Sequence, residues 1–346
     1  MAAVTKPAPI AVRAAKPDEG RAIAGLWREL WDAHEAWGGY AGTRDARVYE
    51  QLAQRLADDA RVRGGQPVLG RHVHLVADAG DGPVGQVEGW FERHGVDEAT
   101  PYTCEVLSLI VSSRARTRGL GRALLEELAR VARQMSRGAP VVMAAEVLEP
   151  NPAHAFYAKI GYQPVSWTGR VSTSLAPEPT GDIAAWVARP ATSDDALAIA
   201  MLDPALAERR RAQGDARFDR PRSVDATFVG ALAAHLARPA SLLDQCELVV
   251  VDAQGVVRAS ASLTVMSLDP PFIPARRGLL GRFAVDPAVD PAPLVAPLVR
   301  LGKRLALLRG AATLELTDLD PPGAPLYESA VRTGAHPWSR IVERWA

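Results

Sequence analysis

Residues 112–128 read SSRARTRGLGRALLEEL, and this stretch decides the fold. A mostly apolar run, residues 105–111, lies directly before it and is typical of a buried strand. Beyond Gly119, the residues Leu120, Leu124 and Leu128 recur at helical spacing. The pattern therefore predicts a strand, a glycine-bearing turn and a long helix. Because a helix N-terminus offers unpaired N–H groups and partial positive charge, this junction suits a diphosphate.

Spacing excludes two other phosphate-binding loops. A Walker A loop would end in Gly-Lys-Ser/Thr, and the sequence contains no such run. A dinucleotide-binding turn would need a third glycine at position 124, which is Leu124. The remaining interpretations are a different phosphate loop or a glycine-bearing turn with exposed arginines.

A second motif, NPAHAFYAKIGY, covers residues 151–162. With the glycine loop before it, this segment resembles the GNAT superfamily of N-acetyltransferases. The resemblance extends at motif level over roughly residues 102–165. It implies a mixed α/β (α+β) sheet fold and acetyl-CoA as co-substrate, with no metal.

The resemblance also implies which residues hold the coenzyme. Asn151 would either contact the pantetheine arm or cap its helix, and the sequence leaves both roles open. The predicted coenzyme-binding set consists of Leu109, Ile110, Val111, Arg116, Thr117, Arg118, Gly119, Leu120, Gly121, Arg122 and Asn151.

The chemistry of acetyl transfer requires a base, because an alkyl amine with a pKa of ~10.4 is almost fully protonated at neutral pH. The run from Cys104 into the glycine loop resembles the histone-acetyltransferase branch, which implies Glu105 as general base. The alternative is a glutamate on a solvated strand face. Glu88, Glu92 and Glu146 are reserve candidates. The family pattern also places Tyr157 beside the CoA sulfur, where its hydroxyl would protonate or hydrogen-bond the leaving thiolate.

The first helix is the candidate acceptor-binding element. Trp31, His34 and Trp37 approach the loop that follows it, where aromatic rings suit a cation. Glu29, Asp32 and Glu35 supply negative charge for an amine. The alternative for this face is a core stripe. His72 and His74 share a strand face and are interpreted as a surface pair rather than a metal site.

A faint internal repeat predicts two tandem GNAT-like domains, residues 1–178 and 179–346. VRAAKPDEGRAIAGL begins at Val12, and ARPATSDDALAIAML begins at Ala188. In the second copy, Asp290, Pro293 and Val295 replace Arg116, Gly119 and Gly121, and Ala330 replaces Tyr157. The second copy is therefore predicted to be degenerate and not to bind CoA productively.

Composition restricts the partners. Forty Lys and Arg balance forty Asp and Glu, so net charge gives no reason to expect nucleic acid or an anionic membrane as partner. Two distant cysteines and no signal-like apolar segment favour a reduced, cytoplasmic setting. The sequence thus predicts an N-acetyltransferase for a small-molecule amine. A protein amine (lysine or N-terminus) and a non-catalytic CoA-binding sensor or accessory protein remain alternatives.

Overall fold

Two series of helices and strands follow one another in similar order in the computed structural model. It describes residues 11–39, 41–42, 45–80, 82–93, 100–116, 118–174, 186–218, 224–238, 245–267, 272–273 and 276–346. The first series is β1 (Ala11–Arg13), α1 (Gly20–Ala36), β2 (Ala41–Gly42), α2 (Ala46–Arg63), β3 (Val68–Leu69), β4 (His72–Asp78), β5 (Pro83–Arg93), β6 (Tyr102–Val111), α3 (Leu120–Met135), β7 (Val141–Leu148), α4 (Ala153–Lys159) and β8 (Gln163–Ser172). The second is β9 (Val187–Pro190), α5 (Ala196–Ala212), α6 (Ala226–Leu236), β10 (Gln245–Val251), β11 (Val257–Ser267), β12 (Phe272–Ile273), β13 (Arg276–Val285), α7 (Ala292–Leu308), β14 (Thr313–Leu319), α8 (Pro325–Arg332) and β15 (His336–Trp345).

A repeated ion pair marks the start of each half. Arg13 Nη1 lies 2.9 Å from a Glu19 carboxylate oxygen, and Arg189 Nη1 lies 2.6 Å from Asp195. Both acids also accept a main-chain N–H three residues earlier, as a capping residue does. The mixed α/β fold of two similar halves is confirmed. The predicted domain boundary at residue 178 lies outside the described residues.

One continuous sheet joins the halves in the order β1-β4-β5-β6-β7-β15-β8-β14-β13-β11-β10-β9. The last strand of each half pairs with the other half. Strand β15 lies between β7 and β8, and β8 pairs with β14, all antiparallel. The short strands β2 and β12 form a second link between the halves. The sequence patterns did not predict this exchange.

Helices cover both faces of the sheet in the first half. Leu124 and Leu128 of α3 are fully buried against strand residues such as Met143 on one face. Ile23 of α1 packs with Val76 on the other face. Because side chains alternate along a strand, Ala144 and Glu146 of β7 belong to the α1 face. None of the described helices is long and apolar enough to cross a membrane.

We expect residues 1–178 expressed alone not to fold as a stable monomer, because β7 and β8 would both lose hydrogen-bonded neighbours from the second half. Co-expression with residues 179–346 should restore a soluble complex. Size-exclusion chromatography and urea unfolding monitored by circular dichroism provide the measurement. A monomeric first half with a cooperative unfolding transition would contradict the importance of the exchanged strands.

Candidate functional site

Strands β6 and β7 separate at the centre of the first half. They pair in parallel from Tyr102 and Val141 as far as Val106 and Ala145. Beyond that point β6 continues to Val111 and β7 to Leu148 without further pairing. A gap therefore opens between the two strands, and main-chain N–H and C=O groups of β6 and β7 line its two sides.

Two of the predicted coenzyme-binding residues direct their main chain into this gap. Ser112 N–H donates to Val84 O on β5 at 2.9 Å. The Ile110 carbonyl oxygen also lies against Gly85 of β5. Because main-chain groups alternate in direction along a strand, the N–H groups of Leu109 and Val111 face the gap, whereas that of Ile110 faces β5.

The N-terminus of α3 stands next to the end of β6. Gly119 occupies the N-cap position with φ 78°, a left-handed conformation that glycine adopts without steric cost, and no side chain caps the helix. Leu120 is buried. A Cβ atom at Gly121 would lie 3.2 Å from Phe156 Cζ, so the glycine lets α4 pack closely on the first turn. The helix therefore presents its first N–H groups without a side-chain acceptor from the described residues.

Arginines surround this helix end. Arg116, Arg118 and Arg122 are all exposed. Arg116 Nε donates to Val111 O at 3.3 Å, which holds this side chain at the open end of the gap. Arg122 Nε is 3.8 Å from Glu126. Thr117, predicted to belong to the same loop, lies outside the described residues.

Asn151 adopts the capping arrangement. Its Oδ1 accepts the N–H of Ala153 at 2.9 Å at the beginning of α4. Of the two roles left open by the sequence, the side chain therefore performs the structural one in this conformation.

Glu105 lies on β6 one residue before the gap begins. It is half-buried, and it stands opposite Trp90 of β5 and Ala144 of β7 on the α1 face. The Glu105 side chain is therefore partly shielded from water and partly accessible to it.

Glu88, Glu92 and Glu146, the reserve candidates for the general base, each contact other side chains. Glu88 is half-buried. Its carboxylate oxygens lie 3.4 Å from His72 Nε2 and 3.9 Å from His74 Nε2. Burial raises the pKa of Glu88, but the hydrogen bond to His72 and the nearby positive charges outweigh it and leave the pKa below its ordinary value. Glu146 Oε1 accepts a hydrogen bond from Ser339 Oγ at 2.6 Å, and Glu92 accepts from Trp90 Nε1.

Tyr157 is buried on α4. Its ring makes edge contacts with Phe156 and Tyr162, with centroid distances of 5.3 and 5.0 Å. Burial, and to a lesser extent Tyr162, raises the pKa of Tyr157 well above the ordinary tyrosine value. The hydroxyl therefore stays protonated and is a donor at any physiological pH.

The three predicted acceptor residues do not share one environment. Trp31 is 2% exposed, stacks on Trp27 and packs against Tyr49, so its ring belongs to the core between α1 and α2. His34 and Trp37 lie together, with ring centroids 5.7 Å apart. Burial lowers the pKa of His34, and Glu146 partly opposes the shift.

The strand exchange brings further residues to this side of the sheet. Trp338 of β15 packs with Trp37 and Leu148, and Arg170 lies 3.6 Å above the Trp338 ring. Trp338 is distant in sequence from every motif, and the pairing of β15 with β7 and β8 places it here. Glu29, predicted to supply charge for an amine, instead accepts hydrogen bonds from Ser112 Oγ and Ser113 N, each at 3.0 Å.

The profile of the acetyltransferase (GNAT) family matches residues 26–162, which contain the gap, the glycine turn and the segment with Tyr157. The match covers less than half of the chain, and it assigns residues 26–162 to the GNAT family. No protein of curated function matches the sequence significantly.

Solved structures resemble nearly the whole chain. A GCN5-related N-acetyltransferase from Sphaerobacter thermophilus aligns over 98% of this chain and 96% of its own, with 16% identity and a TM-score of 0.59. A glucosamine N-acetyltransferase region of a fungal multi-domain β-N-acetylglucosaminidase aligns over 98% and 38%, with 14% identity and a TM-score of 0.56. A tandem GNAT protein from the clavulanic acid biosynthesis pathway aligns over 98% of both chains, with 18% identity and a TM-score of 0.48. At these identities the likeness concerns the fold alone.

The corresponding gap in the second half of the chain is filled by its own side chains. Strands β13 and β14 also stop pairing, after Leu280 and Leu316. Asp318, however, accepts the Arg282 N–H at 3.2 Å. A Cβ atom at Gly281 would lie 2.1 Å from Thr317 Oγ1, so threonine occupies the space above this glycine.

At the helix after β13, unlike at α3, the first N–H group has a side-chain acceptor. Asp290 Oδ1 accepts the N–H of Ala292 at 2.9 Å at the beginning of α7, which has proline at its N-terminus. A carboxylate thus occupies the position that a phosphate would need.

His72 and His74 were interpreted as a surface pair, and for His74 this was wrong. His74 is 3% exposed, because β4 lies inside the sheet under α1, and its Nε2 lies 3.1 Å from Gln86 Oε1. Burial lowers the pKa of His74. Across the described ranges, no group of three or more His, Cys, Asp or Glu side chains is arranged for a metal.

The charge at the glycine turn gives a matched test. Gly119→Asp and Gly119→Asn place side chains of similar size at the same left-handed position, which both residues tolerate. We expect the aspartate variant to bind CoA about tenfold more weakly than the asparagine variant, because its charge opposes a diphosphate at the helix end. Isothermal titration calorimetry with CoA measures this difference, and equal affinities would contradict a diphosphate site at α3.

The filled gap in the second half predicts the stoichiometry. We expect calorimetry to give one CoA per chain, because Asp318 and Asp290 occupy the main-chain donors of the second copy. In the Gly119→Asp variant this single binding event should then weaken as a whole, with no remaining event of wild-type affinity. Two CoA molecules per chain would contradict this difference between the halves.

Proposed function

We propose that the protein is an acetyl-CoA-dependent N-acetyltransferase whose first half transfers an acetyl group to a primary amine of a small molecule. One observation carries this function. A gap between β6 and β7, lined by the N–H groups of Leu109 and Val111, opens beside the uncapped, arginine-rich N-terminus of α3. Main-chain donors in the gap suit an acyl-pantetheine chain, and the helix end suits the diphosphate attached to it.

The gap is also suited to the reaction itself. When an amine attacks a thioester, negative charge develops on the carbonyl oxygen. The N–H groups of Leu109 and Val111 are held by the sheet before the substrate arrives, so they stabilise this charge without reorganising. The Arg116, Arg118 and Arg122 side chains neutralise phosphate charge at the mouth.

Glu105 is our choice for the general base. It stands at the point where the gap begins, on the α1 face that carries His34 and Glu146. An ammonium group must lose a proton before nitrogen attacks the carbonyl carbon, and a carboxylate at this point takes that proton directly or through water. Glu88 is less suitable, because its two histidine neighbours stabilise the ionised form and lower its pKa.

Tyr157 acts on the departing sulfur by donating a hydrogen bond. The thiolate of CoA resembles a cysteine thiolate, whose ordinary pKa is about 8.5. The pKa of Tyr157 is raised far above this value, so complete proton transfer from the phenol to sulfur is unfavourable. A hydrogen bond from the protonated phenol stabilises the thiolate without that transfer.

The second half serves the first as a structural partner. It contributes β15 to the sheet beside β7 and places Trp338 against Trp37 and Leu148. These contacts cover part of the α1 face beside the gap and favour a small acceptor over a folded protein surface.

Substitution of the two catalytic candidates separates an enzyme from a CoA-binding module. We expect Glu105→Gln to lower kcat by about 100-fold or more, as for loss of a general base. Tyr157→Phe should lower kcat by roughly 10- to 100-fold, the range for a lost hydrogen bond to a charged group. Thiol release from acetyl-CoA across a panel of amines provides the rates, and calorimetry should show unchanged CoA affinity.

Glu127→Gln, on α3 and paired with Arg130 away from the gap, is the control and should leave both measurements unchanged. If Glu146→Gln or Glu88→Gln abolishes turnover while Glu105→Gln does not, the base has been assigned to the wrong carboxylate. If wild-type protein binds CoA but acetylates no amine of the panel, the enzymatic function itself is wrong.

A further inference from the structure

Glu146 of β7 is exposed to solvent, although every other residue of this strand is buried. Strands β6 and β7 pair as far as Val106 and Ala145, so Glu146 is the first residue of β7 beyond the paired region. Leu107, the next residue of β6 beyond the same point, is 51% exposed. Solvent therefore reaches the place where the two strands separate, and Glu146 borders that place.

The second half of the chain holds one oxygen of the Glu146 carboxylate. Oε1 accepts a hydrogen bond from Ser339 Oγ at 2.6 Å. Ser339 is fully buried, and its main chain is paired with Leu148 of β7 on one side and with Thr168 of β8 on the other. Two neighbouring strands therefore fix this serine, and the serine restricts the orientation of Glu146. Within the described ranges no hydrogen bond is formed to Oε2, so this oxygen is available to a ligand.

The basic groups nearest to Glu146 do not neutralise its charge. Burial lowers the pKa of His34 on α1 and of Arg170 on β8, and the negative charge of Glu146 opposes both shifts. His34 is therefore mainly neutral at physiological pH. The Arg170 guanidinium lies over the Trp338 ring and 3.7 Å from Glu315. In the part of the chain that the structure describes, no Lys or Arg side chain forms an ion pair with Glu146.

Apolar side chains border the carboxylate on the α1 face. Ile341 of β15 stands directly opposite Glu146 in the strand register and is half-buried. Leu148, two residues further along β7, belongs to the same face and packs with the half-buried Trp37. A single carboxylate among apolar groups suits an ammonium group that is carried by an apolar chain.

The strand register also places the candidate base next to Glu146. Glu105 stands opposite Ala144, which lies two residues before Glu146 on the same face of β7. From the spacing of parallel strands, the Cα atoms of the two glutamates are about 8 Å apart. Their side chains are long enough to approach one nitrogen atom from two sides. A proton can therefore pass from that nitrogen to Glu105 while the nitrogen stays beside Glu146.

We propose that Glu146 binds the ammonium group of an apolar primary amine, and that Ser339 is the positioning residue that orients this carboxylate beside the gap. The assignment rests on the proposed function, because it takes the point where β6 and β7 separate as the place where the amine meets the thioester. Glu146 keeps the nitrogen in place, and Glu105 takes the proton. The second half thereby acts on acceptor binding through one hydroxyl group.

Two probes of similar shape test the role of Glu146 independently of turnover. They are 1-aminohexane and 1-hexanol, titrated calorimetrically into the full chain saturated with CoA. We expect the amine to bind about tenfold more tightly, because hydrogen bonds between charged groups are stronger than those of a hydroxyl. Glu146→Gln, which keeps the size of the side chain, should remove most of this preference and leave the affinity for the alcohol unchanged.

A double-mutant cycle tests Ser339. Ser339→Ala should weaken 1-aminohexane binding about fivefold in the wild-type background but not in the Glu146→Gln background, because a positioning residue has no effect once the charge that it orients is absent. With 1-aminohexane as acceptor, Ser339→Ala should raise KM and change kcat little, whereas Glu105→Gln lowers kcat.

Ser329→Ala is the matched control for this cycle. It also removes a buried hydroxyl of the second half, but the hydrogen bonds of Ser329 stay within α8. This variant should change neither amine binding nor KM. Thermal unfolding confirms that all variants are folded, and all of them should bind CoA as the wild type does.

Several results would overturn the proposal. Equal affinity for the two probes, no measurable binding of 1-aminohexane, or a folded Glu146→Gln variant that keeps the full preference for the amine each excludes the role of Glu146. Additive losses in the double-mutant cycle would give Ser339 a structural role instead. If 1-aminohexane binds through Glu146 but acetyl-CoA releases no thiol in its presence, the proposed function fails while this assignment stands. Amine acetylation with a KM that does not depend on Glu146 gives the opposite result.

Discussion

Hydrogen bonding of β15 to β7 is the interaction on which the rest of the structure depends. It places a strand of the second half beside the strand that forms one edge of the gap. The reciprocal pairing of β8 with β14 completes the exchange. Because both pairs lie in the middle of the sheet, neither half has a complete hydrogen-bonded sheet by itself. Both halves therefore contribute strands to the sheet around β7, although the motifs that predict coenzyme binding lie in only one.

The two halves differ in what their equivalent strands leave open. In the first half, β6 and β7 separate and the N–H groups of Leu109 and Val111 face the gap. In the second, Thr317 and Asp318 occupy the corresponding space, and Asp290 caps the helix that follows. A few acidic and hydroxyl side chains thus fill in the second half the gap that stays open in the first. The order and pairing of the strands need not change for this difference.

Local features of the fold were predictable from the sequence, and long-range ones were not. The strand before Ser112 and the helix beginning at Leu120 both follow from patterns within short windows. The Arg13–Glu19 and Arg189–Asp195 pairs explain why the faint repeat was detectable, since each capping arrangement requires those residue types. The exchange of β8 and β15 was missed, because strand partners far apart in sequence leave no periodic signal. Trp31 was expected at the acceptor side and His74 at the surface, but both side chains are buried. The spacing of residues along a helix or strand does not show which of its faces another element covers.

The central position of β15 has a consequence for biosynthesis. During translation, β7 leaves the ribosome long before its partner strand exists, and its exposed edge must wait until nearly two hundred further residues have been added. The ribosome therefore makes the first half before the second, but the first half cannot finish folding until the second half has been made. Pairing over such a separation is slow, and an unpaired apolar strand is prone to aggregate in the meantime. Messages truncated ahead of codon 336 would yield chains that retain the glycine turn and the Tyr157 segment yet lack the strand that completes their sheet.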